Sequence, residues 1–409
     1  MQVIVIGGGA AGFFGSIACA TANPDARVTL LEASRKPLHK VRISGGGRCN
    51  VTHACFDPVE LVKHYPRGEK ALRGPLTRFQ PRDTVRWFEE RGVKLKTESD
   101  GRMFPTTDNS ETIARCLFDS AIELGVVLAK QSPVVAVRKD ATEFVLTLKG
   151  GETRRADRIL LATGSSPKGY QLARELGHSI VDPVPSLFTF NIVEPMLNDL
   201  AGVSVPESIV RLPEAKLSQS GPLLVTHWGL SGPAILKLSA WGARFLHDRS
   251  YRTPLVVNWL PKHNPETLRQ HLLFTKSNSP KKSIGTFSPV ELPRRLWLYH
   301  LVRLDIDTGK RWAELSKKEI DRLVRQLLQC EYSIAGKGIF KDEFVTCGGV
   351  KLKEVNFKTL ESRRCPNLYF AGEILDIDGV TGGFNFQNAW TTGWLAGRAM
   401  GTFTVSSEQ

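Results

Sequence analysis

The chain has no run of some 18 apolar residues, the length a membrane-spanning helix requires, so no transmembrane segment is expected. An apolar, β-branched run begins at Gln2 and leaves no room for a signal peptide, so a cytoplasmic location is expected. The seven cysteines (Cys19, Cys49, Cys55, Cys116, Cys330, Cys347, Cys365) are odd in number and scattered. None makes a C-x-x-C pair or a His/Cys cluster with ligand spacing, so reduced thiols and no bound metal are expected. Internal repeats and low-complexity tracts are also missing. Negative charge is in short supply: 55 Lys and Arg against 41 Asp and Glu leave a formal +14. That imbalance bears on partners, not on fold, and suits either an anionic cofactor or a polyanion such as RNA.

What is present starts at the amino terminus. Gln2–Ile6 reads as a buried parallel strand, followed by Gly7-x-Gly9-x-x-Gly12 and a helix-compatible stretch from Phe13 to Ala22. Gly7 permits the tight turn, Gly9 lets backbone approach a pyrophosphate, and Gly12 lets helix pack closely on strand. A second strand, Arg27–Leu31, ends on Glu32, where a ribose hydroxyl needs an acceptor. The helix N-terminus supplies N–H groups and a positive dipole end for phosphates. No second fingerprint of this kind lies between Val184 and Phe344, which excludes a resident second nucleotide domain.

Farther along, Ser34–His53 reads as a glycine-rich loop, Leu61–Lys96 as basic and helical, and Ser110–Leu124 as an amphipathic helix. Strands are expected at Val134–Arg138, Phe144–Leu148 and Arg154–Leu161, and a proline-containing linker at Val181–Pro185. Short strands with Pro and Gly breaks fill Leu187–Trp259, and Pro265–Gln329 is helical and again basic. The chain then repeats its opening pattern in type: an apolar strand at Leu368–Ala371, a glycine loop, and a helix from about Gln387. The expected fold is therefore α/β, with a Rossmann-like dinucleotide-binding domain split across both termini (1–185 and 344–409). A β-rich, barrel-like domain (186–260 with 331–343) is inserted in it and carries a helical subdomain (261–330).

Two loops point to a flavin. Gly45–Gly47 precede Arg48, Cys49 and Asn50, and three glycines in a row are entropically costly unless backbone must approach something closely. Arg48 can hydrogen-bond an oxygen of that group. Gly372 and Glu373 follow the last strand, and Gly382 and Gly383 precede the last helix, whose dipole would stabilise an anionic reduced ring. Asn385 and Gln387 are placed to hydrogen-bond the ring, and Thr163-Gly164 ends a third apolar strand. Asp376 and Asp378 read as solvated loop residues or acids. For proton transfer the candidates are Cys49, with a thiol pKa lowered by nearby N–H donors, and His227. Each also suits a structural role, as a packed side chain or a turn residue.

Together with Thr226-His-Trp-Gly-Leu-Ser-Gly-Pro233, these motifs resemble the HI0933-like flavoproteins, the BaiN or YhiN type of FAD-dependent oxidoreductase, over nearly the whole chain. The resemblance implies FAD as cofactor and places Ala11, Lys40 and Val134 at its site with the residues already named. It implies reduction by NADH or NADPH and hydride transfer to an electron-poor double bond. Its members point to two substrates: a steroid-like enone, or uridine in ribosomal RNA, with the basic helices as the RNA contact. A flavin-binding protein without turnover shares the same motifs.

Overall fold

The computed structural model describes residues 1–338 and 345–402. It divides into two compact units, Met1–Pro183 with Val345–Gln409, and Val184–Phe344. The expected second boundary, at 343/344, lies outside the described residues.

The first unit is built on a seven-stranded sheet. Its order is Val355–Asn356, Glu361–Ser362, Leu368–Phe370, Arg158–Leu161, Gln2–Ile6, Arg27–Leu31 and Val127–Ala129. The last five are parallel, with Val3 opposite both Val28 and Arg158, and Ile159 opposite Leu368. Apolar runs suit this place because both faces of a parallel sheet are covered: Val3, Val5, Leu160, Leu161, Leu368 and Phe370 are fully buried.

Two local expectations are corrected. The run expected as one strand over Arg154–Leu161 is two, broken at Asp157. Thr153–Ala156, alternately exposed, stays antiparallel to Glu143–Leu148 in a separate three-stranded sheet, whereas fully buried Arg158–Leu161 enters the main sheet. Asp157 pins the break by accepting the Gln2 N–H at 2.7 Å. The expected linker at Val181–Pro185 lies within a strand, Ile180–Ser186, and Gly348 sits so close that a Cβ there would be 2.6 Å from the Asp182 carbonyl oxygen. Proline is tolerated there because the strand is outside the central ladder.

The last helix, Phe384–Gly401, lies against the first, Ala10–Ala22, with almost no side chain between them. Gly393, Gly397 and Gly401 recur every fourth residue and so share one helix face. A Cβ at Gly393 would stand 2.7 Å from the Ala11 carbonyl oxygen, one at Gly397 2.7 Å from Ala18 Cβ, and one at Gly401 2.6 Å from Ala22 Cβ. Ahead of these glycines Trp390 tilts against Phe14 of the first helix, ring centroids 5.3 Å apart, and donates its indole N–H to the Val51 carbonyl at 2.9 Å.

The second unit contains a closed six-stranded barrel: Phe190–Ile192, Gly229–Ser231, Leu217–Thr226, Ser204–Leu212, Arg252–Asn258 and Cys330–Lys337. Cys330–Lys337 alternates buried and exposed residues, as a barrel wall requires. Between the last two strands are Pro265–Asn278, Arg294–Arg303 and Lys317–Leu328, with a core of their own around Trp297 and Trp312. No helix among the described residues is long and apolar enough to cross a membrane.

Gly397→Ala is expected to destabilise the protein by about 1–3 kcal/mol, because the added methyl overpacks two backbones that have little freedom to separate. Urea denaturation monitored by tryptophan fluorescence measures this, and an unchanged midpoint contradicts the account.

Candidate functional site

The opening turn has the geometry of an anion site. Gly7 takes φ 111°, and a Cβ there would meet the Ala162 backbone carbon at 2.8 Å. Gly9 begins the first helix without a side-chain cap, and nothing lies within 4 Å of where its Cβ would be. The first-turn N–H groups therefore open onto space, not protein. A Cβ at Gly12 would overlap the Gly7 carbonyl, so this glycine sets the distance between helix and strand. Glu32 is fixed at the turn: Oε2 accepts the Gly8 N–H and Oε1 the Ser34 N–H, each at 2.7 Å. A carboxylate retains further acceptor capacity for a ribose hydroxyl. Val134 is buried at the start of the three-stranded sheet. Ala11 packs beneath Gly372, whose Cβ would lie 2.8 Å from its own.

The segment expected as a loop over Ser34–His53 contains a helical turn, His39–Gly47, which loses helical geometry at Ser44. Gly45, Gly46 and Gly47 take φ 58°, 69° and 85°, and no atom approaches the Cβ positions of the last two. Lys40 pairs with Glu373, whose other oxygen accepts the Thr346 N–H at 3.0 Å, and Gly164 lies beside that carboxylate. The Asn50 amide donates to the Thr52 carbonyl and accepts the Gly383 N–H, each at 3.0 Å. The glycine-Arg-Cys-Asn loop thus touches the distant Gly382-Gly383 turn directly.

Several expected roles change. The Arg48 charge is already met by Glu98 at 2.6 Å and Asp108 at 3.5 Å, with its guanidinium over the Phe104 ring. Cys49 is fully buried, and burial pushes its thiol up to about 12, opposite to the expected lowering. Desolvation of a thiolate outweighs the single bond from Ser44. The Asn385 amide is used on both sides by Gly379, accepting its N–H at 2.8 Å and donating to its carbonyl at 2.9 Å. Gln387 is fully buried, accepting from the Thr52 and Thr84 hydroxyls at 2.6 and 2.9 Å and donating to Thr391 at 3.0 Å. Both amides position the helix start; neither is aimed at a ligand. The last helix begins at Phe384, so both stand inside it and not ahead of it. Asp378 is no solvated loop residue: its carboxylate is fully buried and paired twice with Arg67. His227 lies exposed in the hairpin between two barrel strands of the second unit.

Other residues at the same helix start carry no sequence motif. His53 and His64 pack on the Phe384 ring with centroids 4.7 and 4.3 Å away, and Tyr65 donates its hydroxyl to the Phe384 carbonyl at 2.7 Å. A Cβ at Gly382 would be 3.5 Å from His53 Cδ2. Thr163 Oγ1 and Asn388 Oδ1 are buried without a hydrogen-bond partner among the described residues. Buried polar atoms of that kind, with two uncapped helix starts and open space at Gly9, Gly46 and Gly47, fit a long polar dinucleotide. Gly9, Glu32 and the first helix would hold its adenosine and pyrophosphate end. Gly46, Gly47 and Gly383 would lie along the rest.

A split parallel sheet of this design, with one fingerprint at its first helix and a closing helix from the far end of the chain, defines a dinucleotide-binding flavoprotein. The chain belongs to the HI0933-like family: the model described as "HI0933-like protein Rossmann domain" matches residues 1–399. The protein is an FAD-dependent oxidoreductase of that family. It is 32% identical to a protein of Escherichia coli (strain K12) named ribosomal RNA dihydrouridine synthase, over 96% of each chain. It is 29% identical to 3-dehydro-bile acid delta(4,6)-reductase of Clostridium scindens, over 97% of this chain and 98% of that one.

 Among solved structures, 3-ketosteroid delta1-dehydrogenase from Sterolibacterium denitrificans superposes with a TM-score of 0.52 at 14% identity, covering 98% of this chain and 99% of that one, a likeness of fold.

Two outcomes follow from the geometry. Asp378→Ala leaves Arg67 without its buried partner and is expected to cost about 3 kcal/mol of stability in urea denaturation. An effect below about 0.5 kcal/mol contradicts the buried pair. In the native protein at pH 8, iodoacetamide is expected to label Cys55, which is partly exposed, at least about tenfold faster than enclosed Cys49. Peptide mass spectrometry reads both sites, and equal labelling overturns the burial account.

Proposed function

We propose that this protein reduces uridine in ribosomal RNA to dihydrouridine in the cytoplasm, with NADH or NADPH as a transient reductant. The observation that carries this reading is the 32% identity, along 96% of both chains, to a protein named for that reaction. The chemistry is consistent with it, since the C5–C6 double bond of uracil is conjugated to a carbonyl and accepts a hydride. FAD, when bound and reduced by a nicotinamide, would supply that hydride. The protein's own part is to hold the cofactor at Gly7, Gly9, Gly12 and Glu32, and to keep Gly45–Gly47, Thr163, Gly164, Gly372, Gly382 and Gly383 close along it. A proton must reach the other carbon. Of the two candidates for that step, His227 is exposed, whereas the Cys49 thiol is enclosed and held protonated by burial. The target base must leave its stack to be reached.

A second reading, reduction of a small enone, is favoured by the 29% identity to the bile acid reductase. Nucleoside mass spectrometry of ribosomal RNA from wild-type and deletion strains separates the two. Loss of dihydrouridine on deletion, restored by the gene, is expected. Unchanged dihydrouridine overturns the RNA reading, and flavin reoxidation by an enone alone then supports the second.

A further inference from the structure

The formal charge is not spread along the chain. Residues 61–96 carry ten Lys and Arg against four Asp and Glu, and residues 261–330 carry fourteen against seven. The remaining 303 residues are nearly balanced, with 31 against 30. Almost the whole excess therefore sits in two segments, one in each unit.

Both segments engage part of their charge within the fold, the second through Lys262–Glu207, Arg269–Asp321, Arg303–Glu194 and Lys310–Glu319. In the first, Lys63 pairs with Glu60, Arg67 with Asp378 and Lys96 with Asp108, and Arg78 donates to the Lys358 carbonyl. Much of that charge is engaged within the fold. In the second, the helix Lys317–Leu328 buries Ile320, Leu323, Val324 and Leu327 and presents Lys317, Lys318 and Arg325 to solvent. Those three form no ion pair among the described residues. Lys318 and Arg325 are seven residues apart, two helical turns along one face. On the neighbouring helix Pro265–Asn278, Phe274 is 66% exposed. Arg269 and Leu273 of that helix line a surface pocket with Lys317, Ile320 and Asp321, and Arg269 and Asp321 pair across it at 2.6 Å.

We propose that this helical subdomain is an RNA-docking element, in which Lys317, Lys318 and Arg325 contact backbone phosphates and Phe274 stacks on an unpaired base. The proposal rests on the RNA reading above and adds where the substrate is held. Unpaired cations and an exposed aromatic ring, here on two packed helices of one subdomain, are the kinds of group that bind single-stranded nucleic acid. The subdomain has its own core, so it can carry this surface without altering the flavin-binding sheet. The Arg269–Asp321 pair leaves little net charge on the pocket wall, so the phosphate contacts fall on the three cations without an ion pair among the described residues, of which Lys317 also lines the pocket.

The test compares the wild-type holoenzyme with Lys317→Gln/Lys318→Gln/Arg325→Gln, and separately with Phe274→Ala, using purified ribosomal RNA in filter binding across a salt series. Loss of three phosphate contacts is expected to lower the slope of log K against log salt by about 2, at ~0.7 per contact for single strands. Phe274→Ala is expected to weaken binding about tenfold at each salt concentration. FAD content and its reduction by NADH or NADPH should be unchanged in both. An unchanged slope in the triple variant overturns the docking element, while wild-type rescue of dihydrouridine in the deletion strain still upholds the RNA reading. Wild-type protein that binds RNA without a salt slope, or that prefers phosphatidylglycerol vesicles to RNA, overturns the docking element as well. Wild-type protein that fails to restore dihydrouridine overturns the RNA reading itself.

Discussion

Everything in the first unit depends on how closely two helix backbones approach. Gly393, Gly397 and Gly401 remove side chains where the last helix crosses Ala11, Ala18 and Ala22 of the first. That contact brings the amino-terminal glycine turn and the carboxy-terminal glycine turn into one structure. It also sets the position of Gly383, and through the Asn50 amide the position of the glycine-Arg-Cys-Asn loop. A larger residue on this face would displace the helix start, not merely loosen a core.

Around this contact the polar side chains hold shape more than they offer chemistry. Gln387, Asn50, Tyr65 and the Arg67–Asp378 pair fix the 376–387 turn onto the segment from Asn50 to Arg67, and Asn385 braces the turn internally. Buried groups that are fully hydrogen-bonded rigidify a site, and rigidity is what a redox cofactor needs from its support. The groups left over, Thr163 Oγ1, Asn388 Oδ1 and the uncapped helix starts, are those a ligand can satisfy.

The fold was legible where its pattern is local. The Gly7–Gly12 spacing, Glu32 and the apolar strand at Leu368 point directly to a split parallel sheet. The break at Asp157 was hidden because both halves of Arg154–Leu161 have strand composition, and only burial on one or both faces separates them. The hydrogen-bond partners of Asn385 and Gln387 are not legible because a polar residue after a glycine turn looks the same whether it faces a ligand or its own chain. Cys49 was misread because adjacency to N–H donors is visible in sequence and complete burial is not. The every-fourth-residue glycines of the last helix are a readable signal of close helix packing. His53, His64 and Phe384 come together from separate segments and left none.

Joining the first helix to one that starts at Phe384 also has a consequence for biosynthesis. The two helices are separated by 361 residues, and the barrel and its helices lie between them in the chain. The inserted unit can fold as it leaves the ribosome, since its strands pair among themselves. The cofactor domain cannot close until the final helix emerges, so its first helix waits with its small-residue face exposed throughout translation. Contacts of such sequence separation form slowly. Capture of the flavin is therefore a late event, tied to the end of synthesis and not to the emergence of the fingerprint that first recognises it.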